Sequence, residues 1–353
     1  MQIPDHYIII LSKGDVMKKK HENQIARRDF LKSLAVAGAG AALISRRSLA
    51  QAASDQSSIY KFVTREPGKI KLLALTDLHF FNNKYREKDE HTLEDIRQMV
   101  KIFNPELMVI DGDIWFEDDF GKGFKRCKWS CEQLGKMNIP WAFVWGNHDT
   151  SEDHTKCSPI IASAANSIYR GVRYDGNYRI ELCSNGQDNP FWNLLIVNDG
   201  MPESGFQRDQ IKWFNEEVDR IKLKYPSPPP AFIFCHVPLT QFNRVWAKGL
   251  AKGVKNEPVQ AEKGEPSAFA AIKKSGTVKA VICGHDHLNN FYGDLDGVRL
   301  EYLRATGYGG YGGEKVKKGG TIITIDVTKP ENQFDAITVF ADGSTWSFDS
   351  AAK

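Results

Sequence analysis

The stretch AVICGHDHLNN, residues 280–290, decides how the rest of the chain is read. Ala280 to Cys283 is a short apolar run, the mark of a buried strand. Gly284, His285, Asp286 and His287 then arrive together. Working outward, the same kind of ending recurs. Apolar runs at Ile70–Thr76, Leu107–Asp111, Trp141–Trp145, Leu194–Asn198, Ala231–Cys235 and Val278–Cys283 predict strands, with more at Arg299–Leu303, Thr321–Val327, Ala336–Phe340 and Ser344–Phe348. Several are apolar on both faces, as in a central sheet covered by helices. Between them His91–Phe103, Lys125–Met137 and Gln207–Lys224 repeat apolar residues at helical spacing. Strands alternating with helices predict a layered α/β fold.

The residues just past the strand ends carry the chemistry. The first strand runs into Thr76-Asp77-Leu78-His79, the second into Asp111-Gly112-Asp113, the third into Gly146-Asn147-His148-Asp149. The run Ala231–Cys235 ends in His236, and Val278–Cys283 ends in Gly284-His285-Asp286-His287. Ligand sites of open α/β sheets form outside the carboxyl ends of strands, so these groups are placed to converge. Residues 53–353 hold seven histidines, and five of them sit at these ends; His91 and His154 do not. Singly, each residue has a plainer use: Asp77 or Asp113 as a helix cap, His236 as a core histidine. The set as a whole does not.

Carboxylate, imidazole and one amide, without thiolate, suit Zn, Fe or Mn. Seven such groups exceed the needs of one ion. Two ions sharing a bridging carboxylate would use them all, and a pair about 3.5–4 Å apart activates water and stabilises an in-line displacement at phosphorus.

Taken in order, D-x-H, G-D, G-N-H-D, a lone H and G-H-x-H resemble the calcineurin-like metallophosphoesterase superfamily, from about Lys71 to Gly313. The resemblance implies a four-layer α/β sandwich, two facing mixed β-sheets flanked by helices. It implies Asp77, His79 and His287 on a first metal, Asn147, His236 and His285 on a second, and Asp113 bridging. His148 would face the substrate and assist the leaving oxygen, while a hydroxide between the metals attacks phosphorus. Purple acid phosphatases place a ligand Tyr three residues after the bridging Asp; here that residue is Phe116. The serine/threonine phosphatase pattern G-D-x-x-D-R-G is also absent, since the chain continues Gly-Asp-Ile-Trp-Phe-Glu-Asp. Ala305–Gly312, rich in Gly and Tyr, resembles a group related to purple acid phosphatases that lacks that Tyr. The expected activity is hydrolysis of small phosphate monoesters; the alternatives are a phosphodiesterase or nuclease on the same scaffold, or a non-catalytic binding module.

The N-terminus is read separately. From Met17, the alternative start, a basic segment leads to Arg27-Arg28-Asp29-Phe30-Leu31-Lys32, an apolar stretch from Leu34 to Ile44, and Ala50-Gln51-Ala52. This resembles a twin-arginine export signal over 1–52, cleaved near Ala52, ahead of a phosphoesterase domain over 53–353. Its partner would be the twin-arginine export machinery, and its destination the bacterial periplasm or exterior. Residues 1–52 contain 9 Lys/Arg and 4 Asp/Glu, so the remainder has 47 − 9 = 38 basic and 44 − 4 = 40 acidic residues, a net of −2. That balance gives no bias toward nucleic acid or anionic membranes. There is no strictly apolar run of 18 residues, so no stable membrane span is expected.

All six cysteines, Cys127, Cys131, Cys157, Cys183, Cys235 and Cys283, lie beyond residue 52. None forms C-x-x-C, so neither a zinc ribbon nor a thioredoxin-type motif is supported. Cys127 and Cys131 are spaced to share a helix face, which leaves a disulfide open. The Gly-rich run 307–313 lacks Gly-Lys-Ser/Thr and is expected as a flexible loop at the crevice rim rather than a P-loop. Lys315, Lys317 and Lys318 after it are expected to be solvated. Trp115, Phe116, Trp141 and Trp145 are expected in the core or the crevice wall. Residues 150–175 and 240–268 carry no readable motif.

Overall fold

The computed structural model describes residues 58–349, apart from 83–84, 117–122, 152–155, 172–174, 202–203, 262–263 and 314. Ser58–Lys353 is one compact unit. The export signal and the division expected at Ala52 lie outside the described residues.

Two sheets form the centre. One is six-stranded, ordered β14(Thr345–Trp346), β13(Phe334–Val339), β12(Gly320–Asp326), β2(Lys69–Leu75), β3(Leu107–Asp111), β4(Trp141–Val144). The other is eight-stranded, ordered β1(Ile59–Val63), β5(Tyr178–Cys183), β6(Pro190–Ile196), β7(Ala231–Phe234), β9(Val278–Cys283), β11(Val298–Tyr302), β10(Asn289–Leu295), β8(Ala251–Lys255). Both are mixed: β2, β3 and β4 run parallel while β12 is antiparallel to β2. In the larger sheet β6, β7, β9 and β11 are parallel.

The period-2 alternation of strands divides the larger sheet cleanly. Ile180, Leu182, Leu194, Ile196, Phe232, Phe234, Ala280 and Ile282 join the core shared with the six-stranded sheet. Their neighbours Leu195, Ile233, Cys235, Val281 and Cys283 belong to a second core under the helices. Ring contacts of Phe334 with Phe232 (4.9 Å) and Trp192 (6.0 Å) join the two sheets face to face. Helices α1(Arg86–Phe103) and α2(Gly123–Gly135) add Leu93, Ile96, Met99 and Leu134 to the first core, and a short α3(Cys157–Ser163) adds Ile161. Helices α4(Arg208–Lys224), α5(Gln241–Ala247) and α6(Ala268–Ser275) bury Trp213, Phe214, Phe242 and Ile272 in the second. This is the expected four-layer arrangement.

Local chemistry sets the helix ends. At the start of α4, Gln207 and Gln210 form a reciprocal capping box. Helix α1 stops where Asn104 turns left-handed (φ 46°) and returns its N–H to the Val100 carbonyl.

The ten expected strands are all present, with ends shifted by up to four residues. Four more, β1, β5, β8 and β10, were not anticipated. Strand β5 reads Tyr-Arg-Ile-Glu-Leu-Cys, and its charges hid it, because Arg179 and Glu181 are buried by pairing with each other and with Glu217, Lys224 and Tyr225. The span 240–268, which carries no motif, contributes α5 and the edge strand β8, whose Lys252, Gly253 and Lys255 suit an edge. Among the described residues no helix is long and apolar enough to cross a membrane. All six cysteines are buried and none is in a disulfide, so the one left open between Cys127 and Cys131 is not formed.

Candidate metal centre

The loops after β2, β3 and β4 in one sheet, and after β7 and β9 in the other, end at one place. Their backbones are laced together. The N–H of Asp77 donates to Gly112 O (3.1 Å), that of His79 to Asp113 O (2.9 Å), and that of Gly284 to His236 O (3.2 Å). Gly284 must be glycine, since a Cβ there would strike the Thr76 hydroxyl. Asp77, His79, Asp113 and His285 all have positive φ (56°, 46°, 54° and 75°). This sparsely populated conformation costs L residues energy and clusters at functional sites.

The side chains converge accordingly. His287 Nε2 is 3.2 Å from Asp77 Oδ1 and 3.2 Å from His79 Nε2. Asp113 Oδ2 lies 3.5 Å from His79 Nε2 and 3.2 Å from His236 Nε2. Two groups emerge that could each hold an ion: Asp77, His79 and His287, and Asp77, Asp113 and His236. Donors about 2.1 Å from a common ion at tetrahedral angles lie roughly 3.4 Å apart, so this spacing fits.

The polar atoms point the same way. Asp77 Oδ1, Asn147 Oδ1 and His236 Nε2 are buried with no hydrogen-bond partner. Orphaned atoms of this kind are rare and expensive. His236 Nδ1 meets the Asp111 carbonyl at 2.7 Å and His287 Nδ1 meets the Tyr311 carbonyl at 3.1 Å. A proton on each Nδ1 leaves the Nε2 lone pair facing inward, the usual arrangement of a metal-ligating histidine. With its oxygen and nitrogen donors and no thiolate, the set fits a pair of small divalent or trivalent cations.

Charge explains the titration of these groups. Burial alone would raise the Asp77 and Asp113 carboxyls, but His287, His79 and His236 around them hold both well below the carboxylate range. His236 is raised: burial lowers it, and Asp113 and Asp77 outweigh that. His79 is lowered by burial, and His285 is lowered to about 4 by burial and by His236. Both are therefore neutral donors at neutral pH.

Of the expected site residues, Asp77, His79, Asp113, His236 and His287 share the two groups. His285 sits beside them with its ring 5.4 Å from that of His236, and its N–H donates to Asp77 Oδ2. His148 is half-buried, its ring 5.3 Å from that of His79 and its N–H donating to Asp113 Oδ1 at 2.9 Å. Asp286 turns away to Tyr302 and the Gln260 N–H. The site opens into a cavity of about 310 Å³, walled by Phe116, His148, Gln260, Gly310 and Tyr311.

Several supports were not anticipated. Asp149 accepts N–H bonds from Asp113, Ile114, Trp115 and Gly146, tying the second loop to the third. Its place in Gly-Asn-His-Asp was the available signal. Asp199, after β6, accepts from the His236 and Val237 N–H groups. The Gly-rich run lies at the rim as expected, but it is packed against the site. A Cβ on Gly310 would strike His287, and Tyr311 stacks on that ring at 4.0 Å. The expectation of solvated lysines holds for Lys315 and Lys317, which are exposed. It fails for Lys318, which is 2% exposed because it folds back to donate to the Tyr311 carbonyl of the rim loop. Trp115, Trp141 and Trp145 are core, whereas Phe116 is crevice wall.

Comparison with known proteins gives a consistent picture. The family described as calcineurin-like phosphoesterase matches residues 70–289. A twin-arginine translocation pathway signal sequence matches residues 24–43, which points to export across a membrane. The curated "Probable inactive purple acid phosphatase 29" of Arabidopsis thaliana is 25% identical over 304 residues, covering 74% of this chain and 78% of that protein. "Phosphatase DCR2" of Saccharomyces cerevisiae is 26% identical over 315 residues, covering 74% of this chain and 54% of that protein. A solved dimetal phosphatase from Danio rerio is 14% identical with a TM-score of 0.49, covering 78% of this chain and 96% of that one.

Proposed function

Because the chain belongs to the calcineurin-like phosphoesterase family, we propose that it is an exported, dinuclear metal-dependent phosphatase acting on small phosphate monoesters, in the bacterial periplasm or exterior. The observation that carries this is the convergence of buried carboxylates and imidazoles from both sheets, Asp77, His79, Asp113, His236 and His287, at ion-binding spacing, with Asp77 Oδ1 and His236 Nε2 lacking a hydrogen-bond partner. Such orphans are costly to retain unless a bound cation meets them.

Asp77, His79 and His287 would hold one cation, and Asn147, His236 and His285 the other. Asp113 is the shared ligand. Its Oδ2 lies within 3.5 Å of an imidazole from each set, whereas Asp77 Oδ1 is 3.8 Å from His236. Bound cations would supply an activated water and offset charge on the phosphoryl oxygens. The chain's own residues do the positioning. Asp149 fixes the Asp113 backbone, and the His148 N–H fixes the Asp113 carboxylate. The His148 imidazole, half-buried at the cavity wall, is placed to give a proton to the departing oxygen.

Monoester preference is supported by the size of the cavity, about 310 Å³, which suits one phosphoryl group and one modest substituent. The test is turnover of an aryl phosphate monoester and the matching diester by the mature chain reconstituted with Zn, Mn or Fe. Faster monoester turnover is expected. A diester preference would overturn the substrate assignment, and full metal occupancy with no turnover of either would overturn the catalytic one.

A further inference from the structure

We propose that Tyr311 and Phe116 form an aromatic subsite for the group that leaves phosphorus, so that the favoured substrates are phosphate esters of planar, aromatic alcohols. This rests on the phosphatase reading and deepens it.

Tyr311 is an unusual exposed residue. Its ring lies nearly parallel to that of His287, 4.0 Å away at 11°, yet the residue is 51% exposed. One face is covered and the other is open. The ring is also fixed in place. Its hydroxyl lies 2.9 Å from each carboxylate oxygen of Glu257 and accepts the His287 N–H at 3.2 Å. Burial together with Glu257 raises its phenol, so it stays a neutral hydrogen-bond donor. An exposed ring held this firmly gives up little freedom when a second ring settles on it.

Phe116 is held in the same manner. It stacks on Phe81 (4.7 Å, 28°), which packs in turn on Tyr85 (4.9 Å). Its edge lies 6.0 Å from His79. Both Phe116 and Tyr311 therefore flank proposed ligands of the first metal and line the same cavity.

The rest of the wall decides the class of leaving group. Apart from the groups that would hold or serve the metals, the described lining offers Gln260, Asp286 and the backbone of Gly309 and Gly310. No lysine or arginine is among these described residues. A second phosphate would therefore meet no lysine or arginine among the described lining residues. A planar apolar group instead gains offset or edge contacts with two preset rings.

Aryl esters react faster for reasons of their own, so the test is binding of unreactive analogues. The mature, metal-loaded chain is titrated calorimetrically with benzylphosphonate and with ethylphosphonate. Benzylphosphonate should bind at least about tenfold more tightly. Tyr311→Leu should cut that advantage to about threefold or less, with metal content unchanged; Tyr311→Phe, which keeps the ring, should retain most of it. If Tyr311→Leu loses metal, Phe116→Leu decides, and an undiminished benzyl advantage there overturns the subsite. Equal binding of the two phosphonates by the wild-type chain overturns the subsite and leaves the phosphatase reading intact. Binding of neither by a metal-loaded chain overturns both.

Discussion

The charges around Arg179 and those around Asp113 are buried to the same degree, yet they are composed differently. Arg179, Glu181 and Glu217 are each at most 3% exposed. Arg179 reaches Glu181 at 2.9 Å and Glu217 at 3.0 Å, and Arg220, Lys224 and Tyr225 close the cluster from outside. The chain supplies both signs there, and the result is structure. Around Asp113 the carboxylates of Asp77, Asp111, Asp149 and Asp199 gather with imidazoles, and no described lysine or arginine pairs with them. One sign is missing, and the lone pairs that would meet it face a common space. Burial alone does not distinguish a stabilising cluster from a working one, and neither do single unpartnered atoms, which both clusters contain; completeness of charge does.

Substitution at the incomplete cluster should act on function. Asp113→Asn should reduce metal content and turnover together, by on the order of 10³-fold or more, the several kcal/mol a cation contributes. His148→Ala should keep both metals and lose about 10²- to 10⁴-fold in rate, most steeply on poor leaving groups. Metal analysis beside kinetics separates the two. If Asp113→Asn kept full metal and full rate, the cluster would be mere packing.

At the complete cluster the reverse is expected. Arg179→Met leaves two buried glutamates without their partner and should cost about 3–5 kcal/mol, read by urea unfolding, with metal stoichiometry unchanged. Loss of metal without loss of stability would break the comparison.

A third buried acid sharpens it. Glu301, on β11, is 1% exposed and its Oε1 has no hydrogen-bond partner. Burial pushes its carboxyl up to about 7, against the partial relief of Arg299. Between its ordinary value near 4.5 and about 7, the folded chain keeps a proton that the unfolded chain has released. Folding is therefore most stable below that window and loses stability as pH rises through it, by about 3 kcal/mol in all. Glu301→Gln should flatten this decline, measured by urea unfolding at pH 5 and pH 8 with chelator present. An unchanged slope would show that the acid ionises normally where it lies.

Much of this was legible from residue order. Apolar runs ending in Asp, Asn and His located the centre, because a buried strand has no use for such groups at its end unless they do something there. Of the two histidines after β9, His287 joins a candidate ion group and His285 lies beside His236, while Asp286 turns to Tyr302. Strand β5 escaped because its polar residues are internal, and a charge buried by a distant partner looks like surface in one dimension. Asp199 escaped as a support because what it holds is backbone, which leaves no trace in the sequence; Asp149 was visible in Gly-Asn-His-Asp, but the backbone groups it holds were not. Tyr311 was visible only as part of a Gly-rich run. Its ring acquires meaning from Glu257 and His287, 54 and 24 positions away.

Asp77, His79, Asp113 and His285 hold left-handed backbone, which carries a steric cost for any residue with a Cβ. Glycine would fit each of these positions with less strain. Selection for heat resistance in the presence of chelator would therefore reward the removal of these residues, one strained turn at a time. The molecule that emerged would be hardier and empty-handed, so any effort to toughen this scaffold has to select for its chemistry at the same time.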